Sequence, residues 1–160
     1  MKLFVLLMST MALRFAEAAA AAPEHYDAQA HTLTIRTKGG RVRTFPVPPS
    51  VDALFSLAPT NGHGTYVERL LGKTIRNLET LRIHWYALTK AAGIRKEIRP
   101  HDLRRTAAVH LYTQTLDVLA AKEMLGHDSL NATMHYLKPY DQAAMRQIQQ
   151  HMWRPKGAPN

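Results

Sequence analysis

The chain has no cysteine at all. That excludes disulfides, thiolate metal sites and thiol nucleophiles. Aromatic residues make up only 8% of it, with two tryptophans. No apolar run approaches the ~18 residues that a membrane-spanning helix needs. Acidic residues are scarce too: 12 Asp and Glu stand against 21 Lys and Arg, a formal charge of +9 over 160 residues. A field of that sign selects for polyanions, because each neutralised phosphate releases counterions. Charge alone does not separate DNA from RNA or from an anionic membrane face.

The chain opens MKLFVLLMSTMALRFAEAAAAAP, which has two readings. A lysine, an apolar run from Leu3 to Leu13 and a small-residue stretch at Ala16-Glu17-Ala18 make up the pattern of a secretory signal. The same letters also suit helix, Leu- and Met-rich and then Ala-rich, closed by Pro23. In the second reading Arg14 and Glu17 belong to the folded protein.

Further along, 31–48 reads HTLTIRTKGGRVRTFPVP. Leu33, Ile35, Val42, Phe45 and Val47 are strand formers around Gly39-Gly40, the mark of a β-hairpin with Lys38 beside its turn. A short helix is expected within 50–63, before a turn at Asn61-Gly62-His63-Gly64. A longer one is expected over 77–92, from the spacing of Leu78, Leu81, Trp85, Leu88 and Ala92, with Gly93 as its stop. Pro100 opens the next helix, and others are expected over 117–125, 130–136 and 141–152. Gly126 breaks the first of these, and Asp128 or Ser129 caps the second. The expected fold is mainly helical with a small antiparallel hairpin or sheet (α+β).

One group of chemistry-bearing residues lies in the second half. HDLRR places His101 and Arg104 on one helix face, with Arg105 beside them. LGH places His127 just beyond a glycine, and Tyr136 follows nine residues later. Each is unremarkable alone, since an isolated H-x-x-R is usually a pair of solvated surface residues.

Together they resemble the tyrosine recombinases, the phage-integrase family. H-x-L-R, L-G-H and Tyr follow at the family's spacing. A-L-R-F-A-E lays Arg14 and Glu17 on the family's first-arginine pattern, and K-G-G-R-V-R lays Lys38 on its hairpin lysine. Arg14 inside the apparent signal tips the N-terminal run toward a core helix. Met11-Ala12 stands where the family has Thr-Gly, a glycine that permits a tight turn. The alanine run stands where the family's next helix carries leucines.

The resemblance implies site-specific recombination or integration by DNA cleavage and rejoining through a 3′-phosphotyrosyl bond. Tyr136 would be the nucleophile, and Arg14 and Arg104 would bind the non-bridging oxygens as bidentate forks. Lys38 would protonate the leaving 5′-oxygen, His101 would handle the tyrosine proton, and His127 would hydrogen-bond the phosphate. Glu17 would orient an active-site side chain, and Arg41, Arg43, Arg105 and Lys138 would contact DNA. His63, His84 and His135 are expected to be structural or surface residues. The sequence offers no acidic cluster, so the expectation is no metal and no cofactor.

The expected partners are double-stranded DNA and further recombinase protomers in a tetramer, with no membrane. The expected location is cytoplasmic, at the nucleoid. Residues 1–153 would form the catalytic domain without the family's N-terminal DNA-clamping domain, and 154–160 a flexible basic tail. The same truncation allows an alternative: a catalytically decayed module that only binds DNA or other subunits. Met145, Ile148 and Met152 form an apolar stripe, either packed within the chain or docked on a neighbouring protomer.

Overall fold

A computed structural model describes residues 2–37, 39–58, 64–72, 74–75, 77–94, 97–138 and 146. It divides into two compact units, residues 1–107 and 108–160.

The first unit begins with α1 (Lys2–Ser9), which buries Leu3, Phe4, Leu7 and Met8 on one face. Each such side chain contributes about 1.5–3 kcal/mol of burial free energy. The apolar opening is therefore core helix, and it is not one continuous helix through 22. The backbone turns at Met11–Leu13, where Ala12 adopts φ of 54°, before α2 (Phe15–Ala20). A left-handed alanine is strained by its Cβ, by roughly 1 kcal/mol. The position thus uses the conformation a glycine would take freely. Phe15 returns its ring edge-on to Phe4, with centroids 5.3 Å apart.

A three-stranded antiparallel sheet follows in the order β1 (Tyr26–Asp27), β2 (Thr32–Arg36), β3 (Val42–Pro46). The hairpin register pairs Leu33 with Phe45 and Ile35 with Arg43. Strand alternation sends Leu33, Ile35 and Phe45 into the core, while Thr34 and Thr44 hydrogen-bond at 3.0 Å on the outer face. Val42, expected among the strand formers, is exposed at the hairpin end. Gly39 and Gly40 both have positive φ, 86° and 78°, which a Cβ would oppose. The Thr37 amide closes the turn by donating to the Arg41 carbonyl at 2.7 Å. Two-residue β1 was not foreseen, being too short to show alternation.

Helix α3 (Pro49–Ser56) adds Val51 and Phe55, and α4 (Tyr66–Leu71) adds Tyr66 and Val67. Phe55 stacks on Tyr66 at 4.5 Å. Six-residue α4 also went unforeseen, although Thr65 and Glu68 form a reciprocal capping box at its start. Of the Asn61-Gly62-His63-Gly64 turn, only Gly64 lies within the described residues. In α5 (Leu78–Ala91) Asn77 caps the start, and Leu81 and Trp85 are buried. Leu78 and Leu88, assigned to the same stripe, are 42% and 36% exposed. The helix lies with a stripe one turn long against the core, and its other apolar positions face solvent. The Trp85 indole donates to the Ile98 carbonyl at 2.7 Å. The segment before α6 (Pro100–Thr115) is thereby tied to α5.

The second unit holds α7 (Val118–Leu125) and α8 (Leu130–Leu137). Asp117 caps α7 through the amides of Leu119 and Ala120, and Ser129 caps α8 through Ala132. Ala121, Leu125, Thr133 and Leu137 are buried. The expected helix over 141–152, its apolar stripe and the tail at 154–160 lie outside the described residues, Arg146 excepted. No helix among the described residues is long and apolar enough to cross a membrane.

Candidate active site

Arg104 is the largest fully buried side chain described, at 1% exposure. A guanidinium keeps its charge at any physiological pH, so its burial needs partners. Its Nη1 donates to the carbonyl of Ala12, 92 residues away in sequence. The left-handed turn at Ala12 presents that carbonyl. The same nitrogen lies 3.9 Å from Glu17 Oε2.

Glu17 is itself buried and serves both arginines. Its Oε1 accepts from Arg14 Nη1 at 2.8 Å, and its Oε2 accepts from the Arg14 backbone amide at 2.7 Å. Arg14 remains about one-third exposed. Two guanidiniums thus share one carboxylate, leaving a net positive charge held in place. That arrangement suits a phosphate dianion or an anionic transition state.

His101 begins the same helix one turn before Arg104 and is exposed at its edge. Partial burial pushes its imidazole below the ordinary value, and the positive fields of Arg104, Arg99 and Arg14 push the same way against Asp102. The neutral, proton-accepting form is therefore favoured at neutral pH.

The second unit holds the other two residues. Gly126 takes φ of 58° and ends α7, and the His127 amide donates back to the Lys122 carbonyl at 3.2 Å. This turn presents His127 toward α8. There the rings of His127 and Tyr136 meet edge-to-face, 5.5 Å between centroids. His127 Nδ1 lies 3.0 Å from Thr133 Oγ1, which fixes the ring's orientation. Thr133 was missed from the sequence. Its signal was its place one turn before Tyr136, with a hydroxyl on a helix face otherwise buried.

Lys38 lies outside the described residues. Arg41 is exposed, whereas Arg43 is half-buried on the inner face of β3, its guanidinium 4.6 Å from the centroid of the Phe45 ring. Arg105 is half-buried and Lys138 exposed at the end of α8. His84 is half-buried, with Nδ1 2.7 Å from the Thr80 carbonyl, and His135 is exposed. Among the described residues no cluster of three or more His, Asp or Glu has the geometry of a metal site.

The alanine run of α2 leaves visible space. Ala16, Ala19 and Ala20 line an open cleft of about 310 Å³ with Thr65, Glu68, Ile75, Asn77 and Leu78. Ala18 and Ala21 are fully buried instead, and the Tyr66 amide reaches the Ala21 carbonyl at 2.8 Å.

The fold is thus mostly helical with a small antiparallel sheet, and its candidate site sets two arginines on one buried carboxylate. The phage integrase family model matches residues 1–143. The chain belongs to that family. It is 31% identical over 143 residues to tyrosine recombinase XerC 1 of Ralstonia nicotianae, covering 75% of this chain and 42% of the relative. It is 30% identical over 145 residues to tyrosine recombinase XerA of Thermococcus kodakarensis, covering 86% and 50%. The chain thus spans about half the length of these relatives.

In structure it resembles the crystal structure of XerA recombinase with a TM-score of 0.75 at 22% identity, covering 96% of this chain and 58% of that one. It resembles XerH recombinase in a post-cleavage complex with its difH substrate at 0.68 and 20% identity, covering 92% and 44%. For the catalytic domain of bacteriophage HP1 integrase the score is 0.63 at 21% identity, covering 99% and 84%. These likenesses establish the fold.

Proposed function

We propose that this chain supplies the catalytic domain of a tyrosine-type site-specific recombinase acting on double-stranded DNA. The observation that carries the proposal is the shared carboxylate of Glu17, which holds Arg14 and Arg104 as a pair. A positively charged pair of forks, one buried and one partly exposed, is suited to the non-bridging oxygens of a scissile phosphate. Each such donor typically contributes ~3–4 kcal/mol to the transition state.

Tyr136 attacks the phosphorus, the 5′-oxygen leaves with a proton from Lys38, and a 3′-phosphotyrosyl bond forms. Neutral His101 accepts the tyrosine proton, and His127, oriented by Thr133, donates to a phosphate oxygen. The covalent bond stores the energy for rejoining, so no nucleotide hydrolysis is needed. The chain acts with further copies of itself at the nucleoid, and Arg41, Arg105 and Lys138 add phosphate contacts along the duplex.

A suicide-substrate trap tests this. The protein is incubated with a pool of nicked duplexes of randomised arm sequence and run on a denaturing gel. A covalent protein–DNA adduct is expected with the native chain and none with Tyr136→Phe. Salt-sensitive DNA binding with no adduct from any duplex would instead identify a binding module that does not cut.

A further inference from the structure

A second cleft, of about 370 Å³, is lined by Phe15, Arg82, Tyr86, Arg99, Pro100 and His101. None of its members except His101 has a part in the proposed strand cleavage. Its walls are flat and largely apolar: the Phe15 and Tyr86 rings and Pro100. Its rim is cationic. The Arg82 guanidinium stands over the Phe15 ring at 5.9 Å, and Glu79 contacts one of its nitrogens, Nη1, at 2.7 Å. Asp102 lies 3.7 Å from Arg99 Nε, while the Arg99 side chain is 72% exposed. A guanidinium carries five N–H donors, so one carboxylate contact each leaves both forks able to take a phosphate.

Aromatic walls under an arginine rim do not suit a bare phosphate, which prefers polar surroundings, nor a lipid chain, which would meet cations at the entrance. A planar base with a phosphate attached satisfies both parts, because stacking on an aromatic face works for any base. The volume also lies within the range of small-ligand pockets, about 300–1,000 Å³.

We propose that this cleft holds one nucleotide swung out of the bound duplex, its base against Tyr86 and Pro100 and its phosphate between Arg82 and Arg99. This rests on the reading of the chain as a DNA recombinase and adds a nucleotide-holding pocket beside His101. It gives Tyr86 and Arg99 a place in substrate positioning.

The test is a nitrogen–proton NMR titration of the whole chain with deoxyadenosine monophosphate, inorganic phosphate and a short duplex as separate probes. The mononucleotide is expected to shift the amides of Phe15, Arg82, Tyr86 and Arg99 saturably. Tyr86→Ala and Arg99→Gln, both changes at exposed side chains, are each expected to weaken it about tenfold. The duplex is expected to displace it. Three results would overturn the proposal. One is no saturable shift up to ~10 mM, a concentration that still detects ~3 kcal/mol binding. Another is equal binding of phosphate alone. The third is a mononucleotide that stays bound in the duplex complex, which would mark a site for free nucleotide. The covalent trap is read independently. An adduct without mononucleotide shifts rejects only the pocket, and shifts without an adduct reject only the cleavage reading.

Discussion

The candidate site residues of the two units are held in different ways. Arg104 is almost wholly enclosed, gripped by the Ala12 carbonyl and facing Glu17, which also clamps Arg14. Tyr136 sits half-exposed on α8, an eight-residue helix, beside a histidine whose orientation rests on the contact with Thr133. Isolated helices of that length are marginal in water, so α8 depends on the burial of Thr133 and Leu137. Groups that must stabilise charge are best fixed in advance, since a donor that has to reorganise loses most of its benefit. A proposed nucleophile that would form and break a covalent bond has to move with its substrate, and a helix held by two buried side chains permits that.

The sharpest way to break this contrast is to remove charge from the first unit. Arg104→Met is expected to lower unfolding free energy by about 3 kcal/mol in urea titrations, because the Ala12 carbonyl and part of Glu17 lose their partner in a buried setting. Tyr136→Phe, by comparison, is expected to change stability by about 1 kcal/mol or less while removing the covalent adduct altogether. If both substitutions destabilised the fold equally, the distinction between an enclosed and a lightly held residue would fail.

A smaller effect is expected at Thr133. Replacing it by valine keeps the shape but leaves His127 Nδ1 without that hydroxyl, for a loss of about 1 kcal/mol. The slower formation of the adduct should exceed what lost stability explains, which a comparison with Leu137→Val at matched stability would show. Ala12→Gly moves the other way, with an expected gain of up to about 1 kcal/mol, since glycine takes the φ of 54° without strain. A loss on thermal melting would mean that the alanine methyl packs too well to give up.

The smallest expected effect concerns His101. Its folded value lies below the ordinary imidazole value of 6.5, chiefly from burial and next from Arg104. Above pH 6.5 neither folded nor unfolded chains protonate it, and its contribution is neutral. As pH falls below 6.5 the unfolded chain takes up a proton first, so stability declines until the folded state is protonated too. NMR titration should place the midpoint below 6.5, and Arg14→Gln should raise it only slightly.

The short-range features were open to reading in the sequence. The caps at Asn77, Asp117 and Ser129, the paired glycines at 39–40 and the stop at Gly126 each act over four residues or fewer. The spacing of His101 to Arg104, and of His127 to Tyr136, is likewise a local matter. What escaped were elements too short to show a period, β1 and α4, and the exposure of Leu78 and Leu88. An apolar stripe tells which face is able to bury, and only the neighbouring elements settle how many of its turns do so.

By itself, then, the sequence determined the stop at Gly126, the cap at Ser129, the hairpin, the basic charge and the residue types of the site, because these depend on local backbone geometry and composition. Tertiary structure alone decided that the Ala12 carbonyl meets Arg104 across 92 residues, that Glu17 serves two arginines and that Thr133 steadies His127. Those contacts arise because a buried charge or hydroxyl must find a partner. Which partner is within reach depends on how the core brings distant backbone together.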